Sequence, residues 1–110
     1  MRQVWLFALL SAGLMAGLLA QAVDRPQTAA VTMRQFGFVP ATLAVAPGTK
    51  VTWTNEDNVP HTVTAKDGRF DSGPVLPGKT FEWTSKGSGE VAYHCIFHPS
   101  MTAALTLAGQ

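Results

Sequence analysis

The sequence predicts an all-β protein, a Greek-key β-sandwich of seven or eight short strands, and three observations carry that prediction. Turn signals recur about every ten residues beyond residue 30, at Pro47-Gly48, Asn58 to Pro60, Asp67-Gly68, Pro77-Gly78, Gly87 to Gly89 and Pro99, which is the spacing of short strands. Between these points apolar and polar residues alternate with period two, and no stretch after residue 30 sustains a helical period. The chain has 110 residues, 46% of them hydrophobic and 14% charged, enough apolar surface for one core and one domain. Half-buried strands need a facing sheet to cover them, hence a sandwich.

In chain order, the opening residues read as an export signal. Arg2 supplies a short positive start, Val4 to Ala20 is apolar apart from Ser11 and two glycines, and Ala20-Gln21-Ala22 offers small residues at the cleavage-recognition positions. Cutting after Ala22 sends residues 23–110 to a periplasmic or extracellular compartment; the chain would meet a membrane only if the segment were retained as an anchor. Removing residues 1–22 takes away one basic residue and leaves seven basic against seven acidic. A chain without net charge has no basic stripe for phosphates, so nucleic acid is excluded as a partner. Residues 23–30 form a polar lead-in without periodicity, and the folded domain is expected over 31–110.

Within that domain Val51 and Trp53 share one face and Thr52 and Thr54 the other. Phe81 and Trp83 flank outward Glu82; Val91, Tyr93 and Cys95 oppose Ala92 and His94; Leu105 and Leu107 repeat the pattern near the end. Trp53, Phe81 and Trp83 therefore read as core, and Glu56, Asp57, Lys66 and Asp67 as solvated turn residues.

The chemistry concentrates at Cys95-Ile96-Phe97-His98-Pro99-Ser100-Met101, a C-x-x-H-x-x-M run after a strand. A single cysteine makes no internal disulfide and no multi-thiolate zinc cage, and export would oxidise an exposed thiol. Cys95 is thus either a buried core residue or a ligand. Thiolate, imidazole and thioether together suit copper better than magnesium, calcium or manganese. A second imidazole, His61, starts a strand far upstream and shares an inward face with Val63 and Ala65. His61, Cys95 and His98 in a plane with Met101 as a weak axial ligand is the arrangement of an electron-transfer copper site. Each residue alone has a plainer reading, as core filler or loop histidine; their joint spacing favours the metal.

From Met33 to Leu107 the sequence resembles the cupredoxins, particularly the amicyanin and plastocyanin branch. The resemblance runs through Phe36-Gly37-Phe38-Val39-Pro40, Pro47-Gly48-Thr49, Val51 to Asn55, Pro60-His61-Thr62-Val63, Phe70 to Gly73, Pro77-Gly78 and Tyr93 to Met101. Two residues between Cys95 and His98, and two between His98 and Met101, are similar to the short amicyanin loop. The resemblance implies one copper ion per chain, held by His61, Cys95, His98 and Met101. It also implies reversible single-electron transfer between exported redox partners, by a monomer rather than an enzyme. Pro99 lacks an N–H, so the donor to the Cys95 sulfur is expected to be the backbone N–H of Thr62. Few donors to a thiolate favour Cu(II) and lower the potential. Thr62 departs from the family pattern, where Asn is frequent and its side chain bridges to the ligand loop, which leaves the anchoring of that loop open.

His98 is expected in the loop, with its ring edge in an apolar docking patch of Val59, Pro60, Phe97 and Pro99. Zero net charge makes apolar contact more important than steering there. His94 should face outward as a surface residue, with a lateral electron route as the alternative. Two other functions share these residues. A copper carrier or buffer of the exported compartment would use the same ligands, although carriers more often show exposed Met and His clusters. A thiol enzyme would need Cys95 as nucleophile, His61 or His98 as base and Asn55 or Asn58 to orient it, and an inward cysteine between sheets offers no substrate cleft.

Overall fold

The computed structural model describes residues 27–108, and the expected export segment lies outside them. Eight strands follow in order: β1 Thr28–Arg34, β2 Gly37–Val39, β3 Thr42–Val45, β4 Lys50–Asn55, β5 Thr64–Ala65, β6 Thr80–Thr84, β7 Gly89–Cys95 and β8 His98–Leu107. They make two four-stranded sheets, ordered β2-β1-β4-β6 and β3-β8-β7-β5. β1 lies parallel to β4, and β3 parallel to β8. The chain passes repeatedly between the sheets, as a Greek-key sandwich requires.

β1 starts at Thr28, so the last residues of the expected lead-in belong to the domain. Ala29 and Ala30 pair with Val51 and Thr52 of β4. The alternation of β1 begins with alanines and threonines, whose weak polarity contrast conceals a period of two until a neighbouring strand covers one side.

The alternating positions face the core as expected. Val51, Trp53, Val91, Tyr93, Cys95 and Leu105 are completely buried. Phe81 and Trp83 are only half-buried and pack against that cluster, because β6 is an edge strand and covers the core from one side. Phe70 joins their rings to the centre, with centroids 4.7 Å from Trp83 and 6.0 Å from Tyr93. Burial pushes the Tyr93 phenol up to about 12, partly countered by the Trp53 indole. No hydrogen bond of standard geometry joins the two side chains.

Candidate metal centre

Both ends of the C-x-x-H run are strand residues, which corrects the expectation of a loop histidine. Cys95 closes β7, His98 opens β8, and the two pair across a turn made only of Ile96 and Phe97. Residues at the foot of a two-residue hairpin are near neighbours, and Cys95 Sγ lies 3.5 Å from His98 Nδ1. Between the His94–Thr102 and Cys95–His98 pairs the register shifts. That irregularity takes up Pro99 and Ser100, which are exposed, and turns Met101 inward, where it is buried. Bulges of this kind re-aim side chains beside functional sites.

His61 arrives from the other sheet's side of the molecule. β4 ends at Asn55, whose buried carboxamide staples the following loop: Nδ2 donates to the carbonyls of Val59 (2.8 Å) and Val75 (2.9 Å), and Oδ1 accepts the Asp57 N–H (2.9 Å). The backbone of His61 then exchanges two hydrogen bonds with Val75. His61 is fully buried, and its Nδ1 lies 3.8 Å from Cys95 Sγ. The ligand atoms of His61, Cys95 and His98 all fall within 4.8 Å of one another. A metal bound at about 2.3 Å from sulfur and about 2.0 Å from nitrogen, with roughly trigonal angles, separates the two donors by about 3.7 Å. The observed 3.8 and 3.5 Å fit that arrangement.

Thr62 resolves the open question of the loop. Its N–H donates to Cys95 Sγ at 3.3 Å, the donor expected from the resemblance. Its Oγ1 accepts the Ile96 N–H at 2.9 Å, so threonine itself makes a bridge to the ligand hairpin. His94 pairs with Thr64 and Thr102 on the face away from Cys95 and is half-buried rather than freely exposed. Asn55, offered as a possible orienting group for a catalytic base, spends its carboxamide on backbone groups and makes no hydrogen bond to His61 or His98.

Two functional residues escaped the sequence reading. Asp57, expected to be a solvated turn residue, accepts three hydrogen bonds: from the N–H of Gln35 (2.6 Å), the N–H of Phe36 (2.9 Å) and Nε2 of His61 (2.7 Å). Burial raises its carboxyl pKa, but the bonds from Phe36, His61 and Gln35 outweigh that and hold it below the ordinary aspartate value. The other is Phe36, at the tip of the β1–β2 turn. Its ring meets His61 and His98 edge-on, with centroids 5.3 and 4.7 Å away, while half of the residue stays exposed. Gln35 and Phe36 are consecutive non-glycine residues in the left-handed region (φ 52° and 58°). That conformation costs about 1–2 kcal/mol per residue, and the Asp57 carboxylate offsets it by binding both N–H groups. An aspartate four positions before a candidate ligand histidine was the available signal; nothing in the sequence placed the β1–β2 turn beside it.

The comparisons with known proteins agree with this geometry. The family model for a cupredoxin-like domain matches residues 4–107. A purple cupredoxin from Nitrosopumilus maritimus superposes with a TM-score of 0.67 at 30% identity, covering 73% of this chain and 99% of that one. The Cu(I) form of an amicyanin variant gives 0.69 at 22% identity, covering 79% and 88%. A copper-containing nitrite reductase from Thermus scotoductus gives 0.71 at 24%, covering 78% of this chain but only 23% of the reductase. No curated protein sequence matches the chain. With eight strands in two sheets, a Cys-His hairpin closing on an upstream histidine, and a family match over nearly the whole chain, this protein belongs to the cupredoxin-like family.

Proposed function

We propose that the chain is a type-1 (blue) copper protein that shuttles single electrons between redox partners of the exported compartment. The observation that carries this reading is the convergence of Cys95 Sγ, His61 Nδ1 and His98 Nδ1; Met101, on the strand that His98 opens, is buried as well. His61, Cys95 and His98, together with Met101, would hold one copper ion. When bound, that ion supplies a Cu(I)/Cu(II) couple.

The chain's own residues do the rest. Cys95, His98 and Met101 belong to one hairpin and His61 follows a loop stapled by Asn55, an arrangement that would limit movement of the donors when the couple changes state. Thr62 offers the sulfur one N–H, and Pro99 offers none. Cys95 is fully buried, which favours electron transfer over thiol catalysis. Partners would dock at the pole of Val59, Pro60, Phe97, His98 and Pro99, where Phe97 is 49% exposed.

The test is the visible and paramagnetic-resonance spectrum of the copper-loaded chain from residue 23. Intense thiolate-to-copper colour and stable redox cycling are expected, with Cys95→Ser abolishing the colour. A colourless complex that releases its ion to a competing chelator as readily when oxidised as when reduced would point instead to a carrier.

A further inference from the structure

We propose that Asp57 is the positioning residue of the metal centre: its carboxylate holds the Nε2–H of His61, which commits Nδ1 to the metal, and its charge favours the oxidised ion. The inference rests on the copper reading and deepens it.

An ionised carboxylate can only accept, so the 2.7 Å contact to Asp57 Oδ2 places the imidazole proton on Nε2. The lone pair of Nδ1 then points towards Cys95 Sγ. A histidine free to exchange tautomers would spend part of its time with a proton on the donor atom. Buried His61 has no solvent to settle the matter, and Asp57 settles it.

The carboxylate is in turn fixed from both sides. Gln35 and Phe36 donate their N–H groups to its two oxygens, and its own N–H is held by Asn55. Asp57 therefore joins the strained β1–β2 turn to the ligand, and through that turn places Phe36 edge-on against His61 and His98. Charge adds a second effect that a neutral acceptor would lack. Among the described residues no lysine or arginine nitrogen lies within 4.0 Å of this carboxylate. The carboxylate thus has no cationic side chain paired with it at that distance, and a negative charge stabilises the doubly charged ion more than the singly charged one.

Two measurements decide the matter. In the ligand-free chain, long-range proton–nitrogen correlation at His61 should show a proton on Nε2 and none on Nδ1. A proton on Nδ1, or a tautomer mixture, overturns the proposal without bearing on copper binding. In Asp57→Asn one acceptor oxygen becomes a donor that faces the N–H groups, so affinity for Cu(II) should fall about 10–100-fold. Affinity for Cu(I) should fall less. A tenfold difference between the two raises the reduction potential by about 59 mV for one electron, and Asp57→Glu should restore part of it. A folded Asp57→Asn with unchanged Cu(II) affinity and potential overturns the proposal. Should that variant fail to fold, the tautomer of the unsubstituted chain still decides. Absence of thiolate colour in the unsubstituted chain would sink the copper reading instead.

Discussion

Replacing Thr62 by valine tests how the ligand hairpin is held. Thr62 is fully buried, and valine has nearly its shape, so the change opens no cavity. The hydroxyl sits in a directed chain: Ile96 N–H donates to Thr62 Oγ1, Thr62 shares a 2.9 Å contact with Thr64 Oγ1, and Thr64 donates to Asp71 Oδ1 at 3.1 Å. Because Thr64 spends its proton on a carboxylate, Thr62 is the donor between the two hydroxyls. Valine breaks this chain at two points of unequal cost. Thr64 is half-buried and can turn to water, whereas the Ile96 N–H is left facing a methyl group.

An unmade bond of that kind costs about 1–3 kcal/mol, and partial solvation puts the expected loss at about 1–2 kcal/mol. In a domain of this size each kcal/mol moves the midpoint by about 4–8 °C, so the ligand-free chain should melt roughly 5–15 °C lower. The Thr62 N–H to Cys95 Sγ is a backbone contact and survives. Copper-loaded Thr62→Val should therefore keep its colour while hydrogen exchange at the Ile96 amide speeds up. Thr62→Asn supplies another acceptor oxygen and should recover part of the loss. An unchanged midpoint together with unchanged exchange at Ile96 would refute the argument that Thr62 anchors the hairpin.

Three further outcomes are expected. Tyr93 is the only tyrosine, so its phenolate absorbance reports one site, and it should appear near pH 12 rather than near 10. Because the folded-state pKa is raised, the associated stability is complete below about pH 10 and is lost as pH rises towards 12. The limit is about 3 kcal/mol for two units; a phenolate that appears at 10 in the folded chain would contradict the packing around Tyr93. Phe97→Asp puts a charge on the proposed docking face, and electron self-exchange should slow by about tenfold, equivalent to about 1.4 kcal/mol, without bleaching the copper. Unaltered self-exchange would remove Phe97 from that face. Phe36→Gly relieves one left-handed residue, about 1–2 kcal/mol, and loses two ring contacts of about 0.5–1.5 kcal/mol each. Calorimetry should accordingly find a stability change under about 2 kcal/mol, and a larger loss would mean that Phe36 supports the fold rather than covering the histidines.

What the sequence disclosed depended on how local the cause was. The inward faces of β4, β7 and β8 are written as alternation over five to seven residues, and Val51, Trp53, Val91, Tyr93, Cys95 and Leu105 obey it. The three converging donors were legible for a different reason: a single thiol and three imidazoles in the whole chain are few enough for their spacing to be informative. Asp57 was illegible because an aspartate in Asn55-Glu56-Asp57-Asn58 looks like any turn acid. Its role exists only once the β1–β2 turn folds against the β4–β5 loop, a contact across more than twenty residues. The early start of β1 was hidden similarly, since its pairing partner lies in β4.

Strain and exposure at the ligand pole have one common source. A two-residue β1–β2 turn with glycine or asparagine at its tip would be relaxed, yet Gln35 and Phe36 occupy it with positive φ. That backbone presents both N–H groups to Asp57, and a smaller tip residue would keep them there while uncovering the histidine rings. The same turn therefore orients His61 from behind through the carboxylate and covers His98 from the front through the ring. Phe36 is half exposed and its ring lies edge-on against His98, so a partner docking over His98 would also contact Phe36. The proposed docking face thus gains an aromatic contact from β1–β2 that is mechanically tied to a ligand, so pressure on Phe36 would be felt at His61 through Asp57 rather than dissipated in a loose loop.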